Sequence, residues 1–335
     1  MFLGVISLSL CFGSRVRSFP HLDIEGGVSL GFFQFTEPFS FSLRLGSFLA
    51  LDFVILPGLF LGLYLAVKVL PGFFLLLDGR FQLAASTSTI PKYVVVEKPQ
   101  VNLANFSKDA DGFYTIFNGK DFTGWRTYGR DEVTPRWVID DGAIHFNSKG
   151  AGDGGDIMFA KRFGNFVLEV EWKVAKGGNS GIFYLTQEVE SIRDDGSRQL
   201  EAVPFSAPEY QVLDNVNHPD AKLGKDGNRQ SASLYDMIPA KPQNQKPYGQ
   251  WNKARIEVNN GTVTHYQNGE KVLEYRLWTP QWTQMLINSK FHPGGWPLAF
   301  VLLNNCGGPN HEGYIAFQDH GDDVWFRNIR VKPLD

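Results

Sequence analysis

From Gly112 onward the sequence predicts an all-β fold, a jelly-roll sandwich of two antiparallel sheets. Three observations carry this. Short runs rich in Val, Ile, Phe, Tyr and Trp recur between Gly, Asn, Asp and Pro turn signals. No long helical period interrupts them. A stretch of about 220 residues with this many strands exceeds a small sandwich and suits a jelly roll.

The chain before that point has a different texture. Residues 1–90 are rich in Phe, Leu and Gly, and all eight tryptophans fall after residue 120. Within this leader, 54–77 is an apolar run broken only by Lys68, Pro57 and Pro71, close to the ~20 residues a bilayer crossing requires. A charge and two helix breakers count against a membrane helix. Three readings stay open: a membrane anchor, a secretion signal with a long leader, or upstream sequence read from too early a start. Gln82-Leu-Ala-Ala-Ser86 carries the small residues of a cleavage site. The expectation is an exported protein, periplasmic, extracellular or tethered to a membrane through this segment. Residues 91–111 read as a linker into a domain spanning 112–335.

Within that domain, 166–174 alternates Leu168, Val170, Trp172 and Val174 with Glu169, Glu171 and Lys173, so one face meets a core and the other carries charge. Paired carboxylates two apart on a strand approach the spacing glycosidases use, and a solvated charged face explains them equally. Gly177-Gly-Asn-Ser-Gly-Ile-Phe-Tyr184 is a Gly-rich turn into a strand. With no Lys-Ser/Thr pair and no helix after it, it is not a phosphate loop. Its Asn179 and Ser180 either meet a ligand or close a turn. Between 251 and 275, Asn259-Asn-Gly261 and Gln267-Asn-Gly269 mark the hairpins of a meander.

The strand 209–213 stands out. Alternation places Glu209 and Gln211 side by side with Leu213, and Tyr210, Val212 and Asp214 opposite. Two adjacent hydrogen-bonding groups suit a lined groove, or simply a wet face. Farther on, 313–321 sets Ala316, Gln318 and His320 against Ile315, Phe317 and Asp319. An imidazole at a strand end titrates near neutrality, and Arg327 follows in a strand expected nearby.

Several functions are excluded. A formal charge of −3 with dispersed signs gives no basic stripe for nucleic acid. Cys11 and Cys306 form no disulfide framework or redox motif. No Gly-x-Ser-x-Gly elbow and no common zinc spacing of histidines occurs. No cofactor or metal ligand set is expected; metal dependence stays open, with Asp153, Asp156 and Asp194-Asp195 as candidates for a surface Ca²⁺.

Eight short blocks in order then resemble one family: Phe117-Asn-Gly-Lys-Asp-Phe-Thr-Gly-Trp125, Trp137 with Asp141-Gly-Ala-Ile144, Phe163-Gly-Asn-Phe-Val-Leu-Glu-Val-Glu-Trp172, Asn179-Ser-Gly-Ile-Phe183, Glu209-Tyr-Gln-Val-Leu-Asp214, Gly249-Gln-Trp-Asn252, Gln267-Asn-Gly269, and Gln318-Asp-His-Gly321 with Phe326-Arg-Asn-Ile329. Together they resemble the 3-keto-disaccharide hydrolases. The resemblance implies a concanavalin- and laminin-G-like jelly roll, exported, that cleaves glycosides already oxidised at C3. It departs from the pattern in the leader and in 277–308, which is longer than the usual connection. A C3 ketone acidifies the C2 hydrogen, so a base can start a β-elimination that expels the aglycone from C1; adding water completes a hydrolysis, and stopping earlier makes a lyase. The residues assigned to this chemistry are Glu209 and His320, either of them as the base or the acid. Asn179, Ser180, Gln211, Tyr235, Trp251, Gln318 and Arg327 are assigned to the saccharide, with Glu169, Glu171 and Asp214 in reserve. The alternative is a non-catalytic carbohydrate-binding module at the cell surface, which needs a row of exposed tryptophans drawn from Trp125, Trp137, Trp251, Trp278, Trp282 and Trp296; an adhesion domain is the third reading.

Overall fold

Apolar alternation in two sets of strands builds two antiparallel sheets that share one core. The first runs Glu209–Leu213, Asn179–Thr186, Gly313–Phe317, Ile157–Phe163, Trp125–Thr127. The second, of eight strands, runs Glu270–Arg276, Thr262–Gln267, Asn252–Asn259, Phe166–Val174, Val324–Pro333, Ala143–Phe146, Trp137–Asp140, with Tyr114–Thr115 also on Val324–Pro333. The jelly roll expected from the turn spacing is therefore the fold. The structure, a computed structural model, describes residues 90–334 and the backbone of an antiparallel pair, Phe39–Leu45 with Leu49–Ile55. The chain divides into two compact units, Met1–Thr89 and Ile90–Asp335. Apart from 54 and 55, the apolar run 54–77 lies outside the described residues.

Stacked rings join the sheets: Trp125 lies on Phe317 at 5.4 Å, and Phe317 on Phe326 at 4.1 Å. At the other end Tyr210 meets His265 at 4.9 Å, and His265 bonds the Tyr184 hydroxyl at 2.8 Å. The expected meander closes through Asn260-Gly261 and Asn268-Gly269, all four at positive φ. These left-handed pairs match the twist of two-residue hairpins. Within 91–111, Lys92–Val95 pairs with Val189–Ile192 in a three-stranded sheet, and Val101 donates to the Ala160 carbonyl at 2.8 Å.

Two eight-residue helices, α1 (Pro280–Ile287) and α2 (Pro297–Asn304), occupy the long connection before Gly313. Each opens with proline, whose missing N–H costs nothing at that position, and Thr279 caps α1 by accepting from the Trp282 N–H. Leu298 and Leu302 of α2 pack on Val189, fixing this excursion against the three-stranded sheet.

Candidate active site

Residues paired across an antiparallel ladder share a face, so register alone collects the site. Glu209 pairs with Phe183, Gln211 with Gly181 and Leu213 with Asn179. Phe183 pairs in turn with Ala316, Ala316 with Met158, and Met158 with Arg126. These side chains line the outer face of the five-stranded sheet, because Tyr210, Val212, Ile182 and Phe317 fill the core side. Half of that outer face is closed by an apolar cluster of Tyr128, Met158, Phe183, Val203, Ala207, Tyr314 and Ala316. Glu209, Gln211 and Asn179 occupy the remaining half, and the Gln318 N–H joins it by donating to the Gly181 carbonyl at 2.9 Å.

Glu209 is 7 % exposed, and no hydrogen bond reaches its carboxyl from the described residues. Burial pushes it up to about 8, helped by the charges of Asp156 and Asp220 and opposed by Lys290. It lies against Gly181. A Cβ at that position would stand 2.9 Å from its Cδ and closer still to Oε1, so only glycine leaves the space. Asp156 continues the Met158 strand toward the same face, and burial, with the Asp319 charge, pushes it up to about 7 against the Asp319 N–H that bonds it at 2.8 Å. Two carboxyls raised this way on one sheet face make that face a functional-site candidate.

A loop over 214–240 lies along the edge strand Glu209–Leu213. Its backbone adds to the sheet edge, Tyr235 donating to the Glu209 carbonyl and Gln211 to that of Ser233. Arg229 bridges Asp220 at 3.0 Å and Asp236 at 2.7 Å, and the Tyr235 hydroxyl donates to Asp220 at 3.0 Å. Lys290 comes from the connection between α1 and α2 and packs on this loop through Tyr235. Its Nζ stands 4.2 Å over the Tyr235 ring, 5.0 Å from Phe291 and 5.7 Å from Trp296. Among the described residues its ammonium has no hydrogen bond or ion pair. Burial draws its pKa down, while the charges of Glu209 and Asp236 work the other way.

Of the residues expected from sequence, Glu209, Gln211, Asn179, Tyr235 and Gln318 come together. Gln211 turns its side-chain oxygen to the Val212 N–H at 2.9 Å. The Asn179 Oδ1 and Gln318 Oε1 are buried with no hydrogen-bond partner among the described residues, and Asn179 is only 4 % exposed. His320 is exposed and its ring lies 6.3 Å from that of His218, in the loop that presents Asp220 toward Glu209. It sits at the rim and forms no ion pair or hydrogen bond with Glu209. Ser180 faces inward, its hydroxyl donating to the Gln318 carbonyl at 2.8 Å, because its Val212 partner belongs to the core side. Asp214 ends the strand as a turn cap, accepting from Gly177 and Asn217.

Arg327 and Trp251 lie elsewhere. The strand Val324–Pro333 belongs to the second sheet, not beside Gly313–Phe317, and its outer face carries Arg327 bonded to Glu171 at 2.9 Å and stacked on Trp251 at 3.9 Å. Glu169 is held there by Arg330 and Arg255; burial raises it, but their hydrogen bonds prevail and keep it below the ordinary carboxylate value. A groove of about 920 Å³ runs over this second face, lined by Glu169, Glu171, Arg255 and Arg330 among others. Its charges are mutually paired, whereas Glu209 and Lys290 are not, so the unspent chemistry is on the first sheet. Among the described residues no three His, Cys, Asp or Glu side chains converge as a metal site.

Residues 112–332 match the family of 3-keto-alpha-glucoside-1,2-lyase-like domains. The chain belongs to this family. It is 68 % identical over 232 residues to a 3-keto-disaccharide hydrolase of Bacteroides thetaiotaomicron, covering 68 % of this chain and 80 % of that protein. A solved "putative glycosyl hydrolase" from Parabacteroides distasonis is 30 % identical and superposes with a TM-score of 0.54 over 68 % of this chain and 95 % of its own. In this member of the lyase-like family the cluster around Glu209 lies wholly inside the matched region, Lys290 and Asp156 included. Sequence reading missed Lys290, Asp220 and Arg229, and considered Asp156 only for calcium. Each reaches the site from a loop or a strand end, where no periodicity marks a side chain's direction.

Proposed function

We propose that this protein is an enzyme acting on glycosides, cleaving 3-keto-glycosides by β-elimination with Glu209 as the base. The observation that carries the reading is Glu209 itself: a buried carboxyl with no hydrogen-bond partner among the described residues, pushed up to about 8, and acted on by the charge of Lys290. Family membership and the name of the Bacteroides relative support the substrate class.

In this reading Glu209 removes the C2 proton. The electron pair forms the enolate at C3 and then returns to make C1=C2 as the C1–O bond breaks. The leaving oxygen takes a proton from His320 at the rim, with the sugar hydroxyls donating to the orphaned Asn179 and Gln318 carbonyl oxygens. Water added across the new double bond gives net hydrolysis. No cofactor enters this scheme, and its substrate is a small neutral saccharide.

The tryptophans bear on the binding-module alternative. Trp125, Trp137 and Trp282 are buried, and Trp278 stacks on His311 at 3.6 Å while donating to the Cys306 carbonyl. Only Trp296, 39 % exposed, presents a large open ring. One ring makes a lip, not the row of platforms a module requires.

The deciding measurement is release of a chromogenic leaving group from a 3-keto-glucoside and from the unoxidised glucoside, by the full chain and by Glu209→Gln. Release from the keto substrate alone, abolished in the variant, is expected. kcat/KM should rise with pH through about 8 as Glu209 loses its proton. Tight saccharide binding with no release from either substrate would replace the enzyme by a module, and a profile falling through that pH would make Glu209 the acid.

A further inference from the structure

The elimination reading leaves the developing charge on the C3 oxygen without a named partner. We propose that Lys290 is a catalytic residue that donates a hydrogen bond from its ammonium to that oxygen as the enolate forms, and that the connection between α1 and α2 is the element that delivers it.

The case begins with how Lys290 is held. Its backbone N–H donates to Asp236 Oδ2 at 2.7 Å, and its side chain runs between the rings of Tyr235, Phe291 and Trp296. These contacts fix the stem and leave the three ammonium donors unfilled. A lysine half-buried for structure alone would be expected to close an ion pair, because an unpaired charge out of water is costly. Carboxylates are at hand, yet each is otherwise engaged or held off. Asp220 and Asp236 are taken by Arg229. Glu209 feels Lys290 electrostatically but makes no ion pair with it.

The charged groups acting on the ammonium are thus Glu209 from the sheet and Asp220, Arg229 and Asp236 from the loop, with the Tyr235 ring beneath it. Tyr235 ties the two together: its backbone N–H donates to the Glu209 carbonyl at 3.1 Å and the Lys290 ammonium stands 4.2 Å over its ring, so a base and a cation flank one residue. An enolisation needs such a pair: the base meets the carbon-bound hydrogen while a preorganised donor meets the carbonyl oxygen where charge develops. Asn179 and Gln318 present orphaned acceptor oxygens, which suit hydroxyl groups, so the ammonium is the donor of choice for the oxyanion.

This inference rests on the elimination reading, and the test separates the two. The probe is a 3-keto-hexose analogue with hydrogen at C1 in place of the aglycone, which can enolise but not eliminate. Exchange of its C2 proton in D2O, followed by NMR with the full chain, measures the first step alone. Lys290→Met, which preserves the stem in its cage, should slow exchange by about 10²–10³-fold in the maximal rate, with half-saturation changed only a few-fold. Lys290→Arg should keep a measurable rate and lose the alkaline fall expected of the wild type as the ammonium deprotonates, because guanidinium stays charged. A structural role would move neither that limb nor the rate-to-saturation split. Exchange in Lys290→Met within about threefold of wild type would overturn the proposal alone, as would an alkaline limb unchanged in Lys290→Arg. Absence of exchange and of turnover in the wild type would overturn the elimination reading and this proposal with it.

Discussion

Glu209 depends on what its neighbour lacks. Gly181 sits opposite Gln211 in the ladder, and the Glu209 carboxyl lies in the space that a Cβ there would occupy. Gly181→Ala should therefore swing the carboxyl away and cut kcat by up to about 10²-fold, at a stability cost of about 1–3 kcal/mol from overpacking; turnover at the wild-type rate would contradict this placement. Stability carries the opposite signature at Glu209. Its folded-state pKa lies above the ordinary 4.5, so between that value and about 8 the folded chain binds more protons than the unfolded one, and stability falls as pH rises. Glu209→Gln removes that loss. It should melt above wild type at pH 9, by no more than about 5 kcal/mol, and near it at pH 4; a variant less stable than wild type at pH 9 would contradict the raised pKa. Glu209 and Gln211 were legible in sequence because strand alternation puts them on one face. Lys290 was not, since a lysine in a loop reads as solvated until the rings around it are placed.

Elements decide which predicted residues meet. Arg327 was expected near His320 because only a short turn separates their strands, but that turn crosses from the first sheet to the second and carries Arg327 to the far outer face. There Glu171 bonds Arg327 and lies 3.7 Å from Lys253, while Arg255 and Arg330 share Glu169. Partly exposed pairs of this kind contribute about 0–1 kcal/mol each. Arg327→Ala should accordingly lower stability by about 1 kcal/mol or less and leave turnover of a 3-keto-glucoside unchanged in kcat and KM; a hundredfold loss would return Arg327 to the site. Alternation showed that Glu169 and Glu171 face outward, but not which sheet's outside holds the chemistry. The helices were harder still. Each spans eight residues, too short for a periodic signal to outweigh the surrounding β texture. The available marks were local: Thr279 before Pro280, and Pro297 after Trp296.

At the scale of the whole molecule, both sheets, their shared core and every group placed around Glu209 lie within the unit Ile90–Asp335. Its first strand is not an appendage: Lys92–Val95 pairs along Val189–Ile192, and Ile90 and Val95 pack against the cluster that seats α2. Because α2 follows directly on the segment bearing Lys290 and Trp296, this strand braces the segment that carries Lys290. Cutting the chain at 90 and cutting it at 112, where the family match begins, should then have different consequences. A fragment of 90–335 should melt in one transition and cleave the keto substrate at the full chain's rate. A fragment of 112–335 keeps both sheets yet loses the brace, so it should retain β-sheet circular dichroism while kcat falls and the transition moves down by several degrees, as a loss of about 1–2 kcal/mol would produce. Equal turnover by the two fragments would mean that the site around Glu209 holds its shape without Lys92–Val95, and that the match boundary at 112 is also the functional one.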